Sequence, residues 1–127
     1  MNAVQRALAH AIPFVLGLAC LPAGAAEDFR AFHSRFRAAI VRNDAAGLAQ
    51  LTRLPFLLEG RQLDRDAFVR TYPVVFTPAL RHCLAAAPVA TEGSDKTVHC
   101  PPYSFYFRVD GGRWLLAGFG ADGEDAQ

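Results

Sequence analysis

Residues 103–119 constrain the fold more than any other part of the chain. Tyr103, Phe105, Phe107 and Val109 alternate with Ser104, Tyr106 and Arg108, the two-residue period of a strand with one apolar face. Asp110-Gly111-Gly112 then supplies a tight turn, and Trp114 to Phe119 returns. A two-residue loop at Asp110-Gly111 or at Gly111-Gly112 puts Trp114 and Leu116 on the face of Phe105 and Phe107. The Gly111-Gly112 loop is preferred because it sets Asp110 opposite Arg113, whereas the other register sets Arg108 against Arg113.

The hairpin's second face then carries Tyr106, Leu115, Ala117 and Phe119. That set is too apolar for a sheet face given wholly to water, and an apolar patch of this kind marks an interaction surface. Tyr106, Leu115 and Phe119 are therefore the expected interaction face.

Helical spacing dominates upstream. Phe29, Phe32, Phe36 and Ile40 recur at three- and four-residue steps among Arg30, Arg35, Arg37 and Arg42, which predicts an amphipathic helix over about 27–42. Asn43 or Asp44 ends it and caps a short second helix bearing Leu48 and Leu51. Pro55 closes the helical options, and Phe56-Leu57-Leu58-Glu59-Gly60 reads as a short strand and turn. Asp64 caps a helix carrying Ala67, Phe68 and Tyr72, with Pro73 as its stop. Thr77-Pro78 opens another helix through about Ala86, with Leu80, Cys83 and Leu84 on one side. Gly93-Ser94-Asp95-Lys96 is a polar turn in a weaker strand-like region. Helices followed by antiparallel strands make an α+β fold.

The first 26 residues stand apart. Arg6 is followed by an apolar run over 7–21, and Ala23-Gly24-Ala25-Ala26 offers the small residues of a cleavage site. The run is short for a membrane span, so residues 1–26 are read as a signal peptide. Leu18-Ala19-Cys20 resembles a lipobox, but Gly17 stands where a leucine-like residue is wanted. A lipid anchor at Cys20 is the disfavoured alternative. Residues 27–121 then form a single domain, residues 122–127 a flexible acidic tail, and the destination is periplasmic or secreted. One lysine among many arginines, with abundant alanine, suggests GC-rich bacterial coding.

Charge and cysteine usage narrow the function. Removing Arg6 leaves as many basic residues as the 12 acidic ones, which argues against nucleic acid or an anionic membrane as partner. Cys83 and Cys100 are the cysteines outside the leader, and export makes a disulfide their default. It closes a loop of about 18 residues and contributes about 3 kcal/mol. The pairs His82-Cys83 and His99-Cys100 suggest zinc, but adjacent residues diverge too far to chelate one ion well, so no metal or other cofactor is expected. No G-x-S-x-G, glycine-rich phosphate loop or C-x-x-C occurs.

The element order, the Asn43-Asp44-Ala45-Ala46-Gly47-Leu48 helix junction, the Pro55-Phe56-Leu57 strand and the closing Gly112-Arg113-Trp114-Leu115-Leu116 resemble the nuclear-transport-factor-2-like superfamily, which includes ketosteroid-isomerase-like and SnoaL-like proteins. The resemblance implies helices packed on a curved, cone-shaped antiparallel sheet, often with a pocket and a dimerising sheet surface, which would make the face of Tyr106, Leu115 and Phe119 a homodimer interface. A pocket enzyme of this type uses a carboxylate base beside a tyrosine. Glu59, Tyr72, His82 and Tyr103 are the polar candidates for such a pocket, but no catalytic residue can be assigned by matching. The preferred expectation is a binding domain for a small apolar ligand or a protein partner. The alternative is a small isomerase or dehydratase using a carboxylate or histidine for proton transfer.

Overall fold

The computed structural model describes residues 28–122. The expected signal peptide with its cleavage site, Cys20 and residues 123–127 lie outside them. Helix α1 (Phe29–Val41) starts at Asp28, whose carboxylate accepts from Ala31 N at 2.8 Å. Helix α2 (Ala45–Gln50) is capped by Asp44, which accepts from Gly47 N at 2.9 Å. A side chain at Gly47 would collide with that carboxylate. Strands β1 (Phe56–Leu58) and β2 (Arg61–Leu63) form a hairpin. Helices α3 (Arg65–Val75) and α4 (Pro78–Ala86) follow, capped by Asp64 and Thr77. Strands β3 (Val89–Glu92), β4 (Asp95–Cys100), β5 (Tyr103–Asp110) and β6 (Arg113–Ala121) make an antiparallel sheet in chain order. The α+β class and the N-terminal helices match expectation, whereas the sheet is not strongly curled.

The apolar stripe of α1 seals the core. Phe32, Phe36 and Ile40 are fully buried, as are Phe105, Phe107 and Leu116 on the facing sheet. Phe107 meets Phe36 edge-to-face at 5.0 Å between ring centres and Phe32 at 5.8 Å. Each such ring contributes about 1.5–3 kcal/mol by leaving water, and favourable ring geometry adds to that. Phe29 and Trp114 close the edge of this cluster at 5.0 Å.

Three local expectations need correction. Pro73 does not stop α3: the helix runs to Val75 and closes with Phe76 N donating to Tyr72 O at 2.8 Å. Pro73 sits in the last turn, so it removes one hydrogen bond where few remain, and the burial of Tyr72 and Phe76 holds the helix past it. The weak region around Gly93 is a full hairpin, with Asp95 and Lys96 in β4 and Gly93-Ser94 as its turn. The third correction concerns β6. Phe107 pairs with Leu116 but Tyr106 pairs with Gly118, leaving Ala117 as the extra residue of a bulge. Because side chains alternate faces, one inserted residue reverses everything beyond it. Phe119 therefore lies opposite Phe105 on the helix-covered face, its ring stacked at 5.4 Å. The expected surface of Tyr106, Leu115 and Phe119 thus loses Phe119, and its other two members are half-buried.

The hairpin loop is Gly111-Gly112, with Asp110 opposite Arg113. Their charges have other partners: Asp110 pairs with Arg53 at 3.0 Å, and Arg113 reaches Gln50 O at 3.4 Å. Asp122, assigned to the tail on sequence, is held by its N–H to Pro102 O and by its carboxylate on Ser104.

Candidate functional site

The β1–β2 hairpin belongs to a sheet of its own. The segment before it touches β6 once, where Thr52 bridges Leu116 in parallel: Leu116 N donates to Leu51 O at 2.8 Å, and Arg53 N to Leu116 O at 2.9 Å. Beyond Pro55 the two sheets share no ladder, although Phe56 of β1 stacks on Phe119 of β6 with ring centres 6.0 Å apart, and a groove opens between the hairpin, the end of α3, the start of α4 and the end of β6.

This groove has a volume of about 540 Å³. Leu58, Val74, Val75, Leu80 and Phe119 supply its apolar lining, and Glu59, Arg61, Thr71, Thr77 and Tyr103 its polar groups. Thr77 is partly committed, since its hydroxyl accepts from Leu80 N at 3.3 Å. Tyr103 stands edge-on to Phe119 at 5.7 Å. Two shallower hollows adjoin it through shared residues. One, of about 320 Å³, runs from Leu58 and Glu59 to Gly120 and Ala121. The other, of about 170 Å³, lies over Cys83, Cys100, Pro101 and Pro102.

Glu59 occupies an unusual backbone position. It and Gly60 form the two-residue hairpin loop with φ of 48° and 77°, the left-handed pair that asparagine-glycine normally fills. For a glutamate that conformation costs on the order of 1–2 kcal/mol. The turn is held by the register of Leu58 with Arg61 and by the burial of Phe56 and Leu63 behind it.

Of the four polar candidates, Glu59 and Tyr103 share the groove, and Tyr72 and His82 do not join them. Tyr72 is buried against Phe76, ring centres 4.8 Å apart, and its hydroxyl has no hydrogen-bond partner among the described residues. Burial raises its phenol above the ordinary value, Arg81 opposing and Asp44 assisting. The hollow it lines with Phe56, Phe68 and Phe76 measures about 10 Å³, room for about one water. His82 is exposed on α4 and lines none of these grooves.

Cys83 and Cys100 form the disulfide, with Cα atoms 5.9 Å apart, joining α4 to β4. Their sulfurs are consumed by that bond, and no cluster of three or more histidine, cysteine or acidic residues suited to a metal occurs among the described residues. No helix among them is long and apolar enough to cross a membrane.

A polar chain on the other sheet face escaped sequence reasoning. Ser104 Oγ donates to Asp122 Oδ1 and meets His99 Nδ1, both at 2.8 Å, while His99 Nε2 lies 3.8 Å from Glu92 Oε1. With the Ser104 proton on Asp122, His99 Nδ1 is the donor and cannot serve as a base for that hydroxyl. Ser104 is also buried. The chain ties β3 through β6 together instead of forming a nucleophile. Only register brings these residues together, since no motif links them.

Compared with protein-family models, curated proteins and solved structures, the chain matches none.

Proposed function

We propose that this chain is an exported binding domain of the nuclear-transport-factor-2-like type, and that the groove beside Glu59 takes an apolar ligand or an apolar side chain of a partner. One observation carries the reading: the space available is an open groove of about 540 Å³ with Leu58, Val74, Val75, Leu80 and Phe119 in its lining, within the range of ligand sites. The pocket between α3 and the β1–β2 hairpin, by contrast, has room for about one water. A proton-transfer enzyme needs a carboxylate that is shielded from water with an oxyanion donor in reach. Glu59 is exposed, and no hydrogen bond joins it to Tyr103 among the described residues. That favours binding over the isomerase or dehydratase alternative. Export is supported by the leader-like sequence and by the disulfide.

Nile red, a neutral dye whose emission rises in apolar surroundings, tests the reading. The wild-type chain is expected to give saturable enhancement. Val74→Glu should weaken it by about tenfold while leaving the far-ultraviolet dichroism unchanged, because Val74 is 78% exposed and contributes little to the core. Equal enhancement from wild type and Val74→Glu would remove the groove from the account.

A further inference from the structure

One face of the β1–β2 hairpin carries a charge where its period calls for an apolar residue. Phe56 pairs with Leu63 and Leu58 with Arg61, and opposed residues, like residues two apart along a strand, share a face. Phe56 and Leu63 are buried and Leu58 is half-buried, whereas Leu57 and Gln62 on the other face are exposed. Arg61 therefore stands on the core-facing side of the hairpin, beside Leu58, in the lining of the groove of about 540 Å³. An arginine so placed lays its stem along apolar surface and keeps its guanidinium in water. Glu59, in the loop two residues earlier, lines the same groove. Its Cα lies within about 7.6 Å of that of Arg61, the reach of two peptide units. Neither charge forms an ion pair among the described residues, with the other or with a third group. The Thr71 hydroxyl, one turn before Val75 on α3, lines the groove and has no hydrogen-bond partner among them either. The groove thus presents one anion and one cation, close together, at the rim of an apolar lining.

We propose that the groove takes a zwitterion with an apolar body, of the class of the apolar α-amino acids. Its ammonium meets Glu59, its carboxylate meets Arg61, and its side chain lies on Leu58, Val75, Leu80 and Phe119. The inference rests on the groove being a binding site and names the chemistry of its ligand. Charge balance selects the class. A neutral apolar molecule filling the groove strips water from both charged groups and returns nothing. A cation answers Glu59 and is repelled by Arg61, and an anion does the reverse. A molecule bearing both charges answers both, and an α-amino acid carries them on one carbon, close enough for side chains rooted two residues apart to reach together. The Thr71 hydroxyl adds a donor or acceptor for the same head group. A carboxylate at the left-handed position of Glu59 costs stability that asparagine would not, as is expected where the charge has a use. Both charged residues are exposed, so each pair contributes modestly. The apolar lining supplies the remaining affinity, and the head groups set which ligand enters.

Displacement of Nile red from the full chain, at low salt and about pH 6 where free α-amines are protonated, tests the proposal. L-Leucine should displace the dye. Glycine, with the same head group and no apolar body, should not do so at the same concentration. N-acetyl-L-leucine keeps only the carboxylate, and L-leucinamide keeps only the ammonium. Each should bind about fivefold more weakly than L-leucine, the upper end for losing one exposed ion pair. Arg61→Gln should erase the advantage of L-leucine over L-leucinamide, and Glu59→Gln its advantage over N-acetyl-L-leucine. Both substitutions fall at exposed positions and should leave the Nile red response in place, because the dye is neutral. Equal displacement by the three leucine compounds, tighter binding of either singly charged one, or survival of an advantage in the variant meant to erase it would each overturn the zwitterion. Displacement by glycine as strong as by L-leucine would overturn the apolar body. If the wild type gives no Nile red enhancement, the groove reading falls and the ligand class with it. If enhancement is present and L-leucine leaves it unchanged, zwitterion recognition alone is lost.

Discussion

The two ends of β6 are built on opposite plans. At its start, Trp114 and Leu116 lie beneath α1, where Phe29, Phe32, Phe36 and Phe107 interlock ring against ring. Beyond the Ala117 bulge, Phe119, Gly120 and Ala121 border a groove, and the strand on the side away from β5 belongs to another sheet. The closed end buries apolar area and satisfies backbone groups on both sides, as the bonds of Leu116 to Leu51 and Arg53 illustrate. The open end instead borders a groove, with Phe119 stacked on Phe56 of the β1–β2 hairpin. Close packing and open space thus divide along a single strand, and one inserted residue marks the boundary.

The largest expected effect separates the ends directly. Phe107→Ala should cost about 3–5 kcal/mol in urea unfolding, because a fully buried ring leaves a cavity. Phe119→Ala, half-exposed at the groove, should cost about 1–2 kcal/mol and lower Nile red binding. Equal costs would show that the groove end is as much a part of the core as the helix-covered end.

A smaller effect of opposite sign is expected at the hairpin tip. Glu59→Asn places a residue tolerant of positive φ before Gly60 and should raise stability by about 1 kcal/mol in the same assay. Unchanged stability would show that the turn holds no strain at Glu59.

The smallest effect belongs to His33 at the closed end, stacked on Phe29 at 5.5 Å. Burial, with Arg37 adding to it, holds this imidazole below its ordinary 6.5. The unfolded chain therefore takes up a proton that the native state resists. The native state keeps its full stability above 6.5 and loses part of it as the pH falls below that value. Between the two sides of that pH, melting curves should show the wild type losing more stability on acidification than His33→Leu if this histidine is responsible. Groove binding of Nile red should not follow the same titration.

Local sequence determined a good deal here. The spacing of Phe32, Phe36 and Ile40, the caps at Asp64 and Thr77, and the period-two run from Tyr103 with its Gly111-Gly112 turn all act through neighbours a few residues away. Cys83 and Cys100 were pairable because they are the two cysteines beyond residue 26. Only the tertiary structure decided that α3 passes through Pro73, that Ala117 bulges and carries Phe119 to the covered face, and that Glu59 and Tyr103 meet while Tyr72 and His82 do not. Each of those outcomes depends on packing and pairing between segments far apart in the chain. A bulge has no composition of its own to read, yet it sets the face of every side chain beyond it.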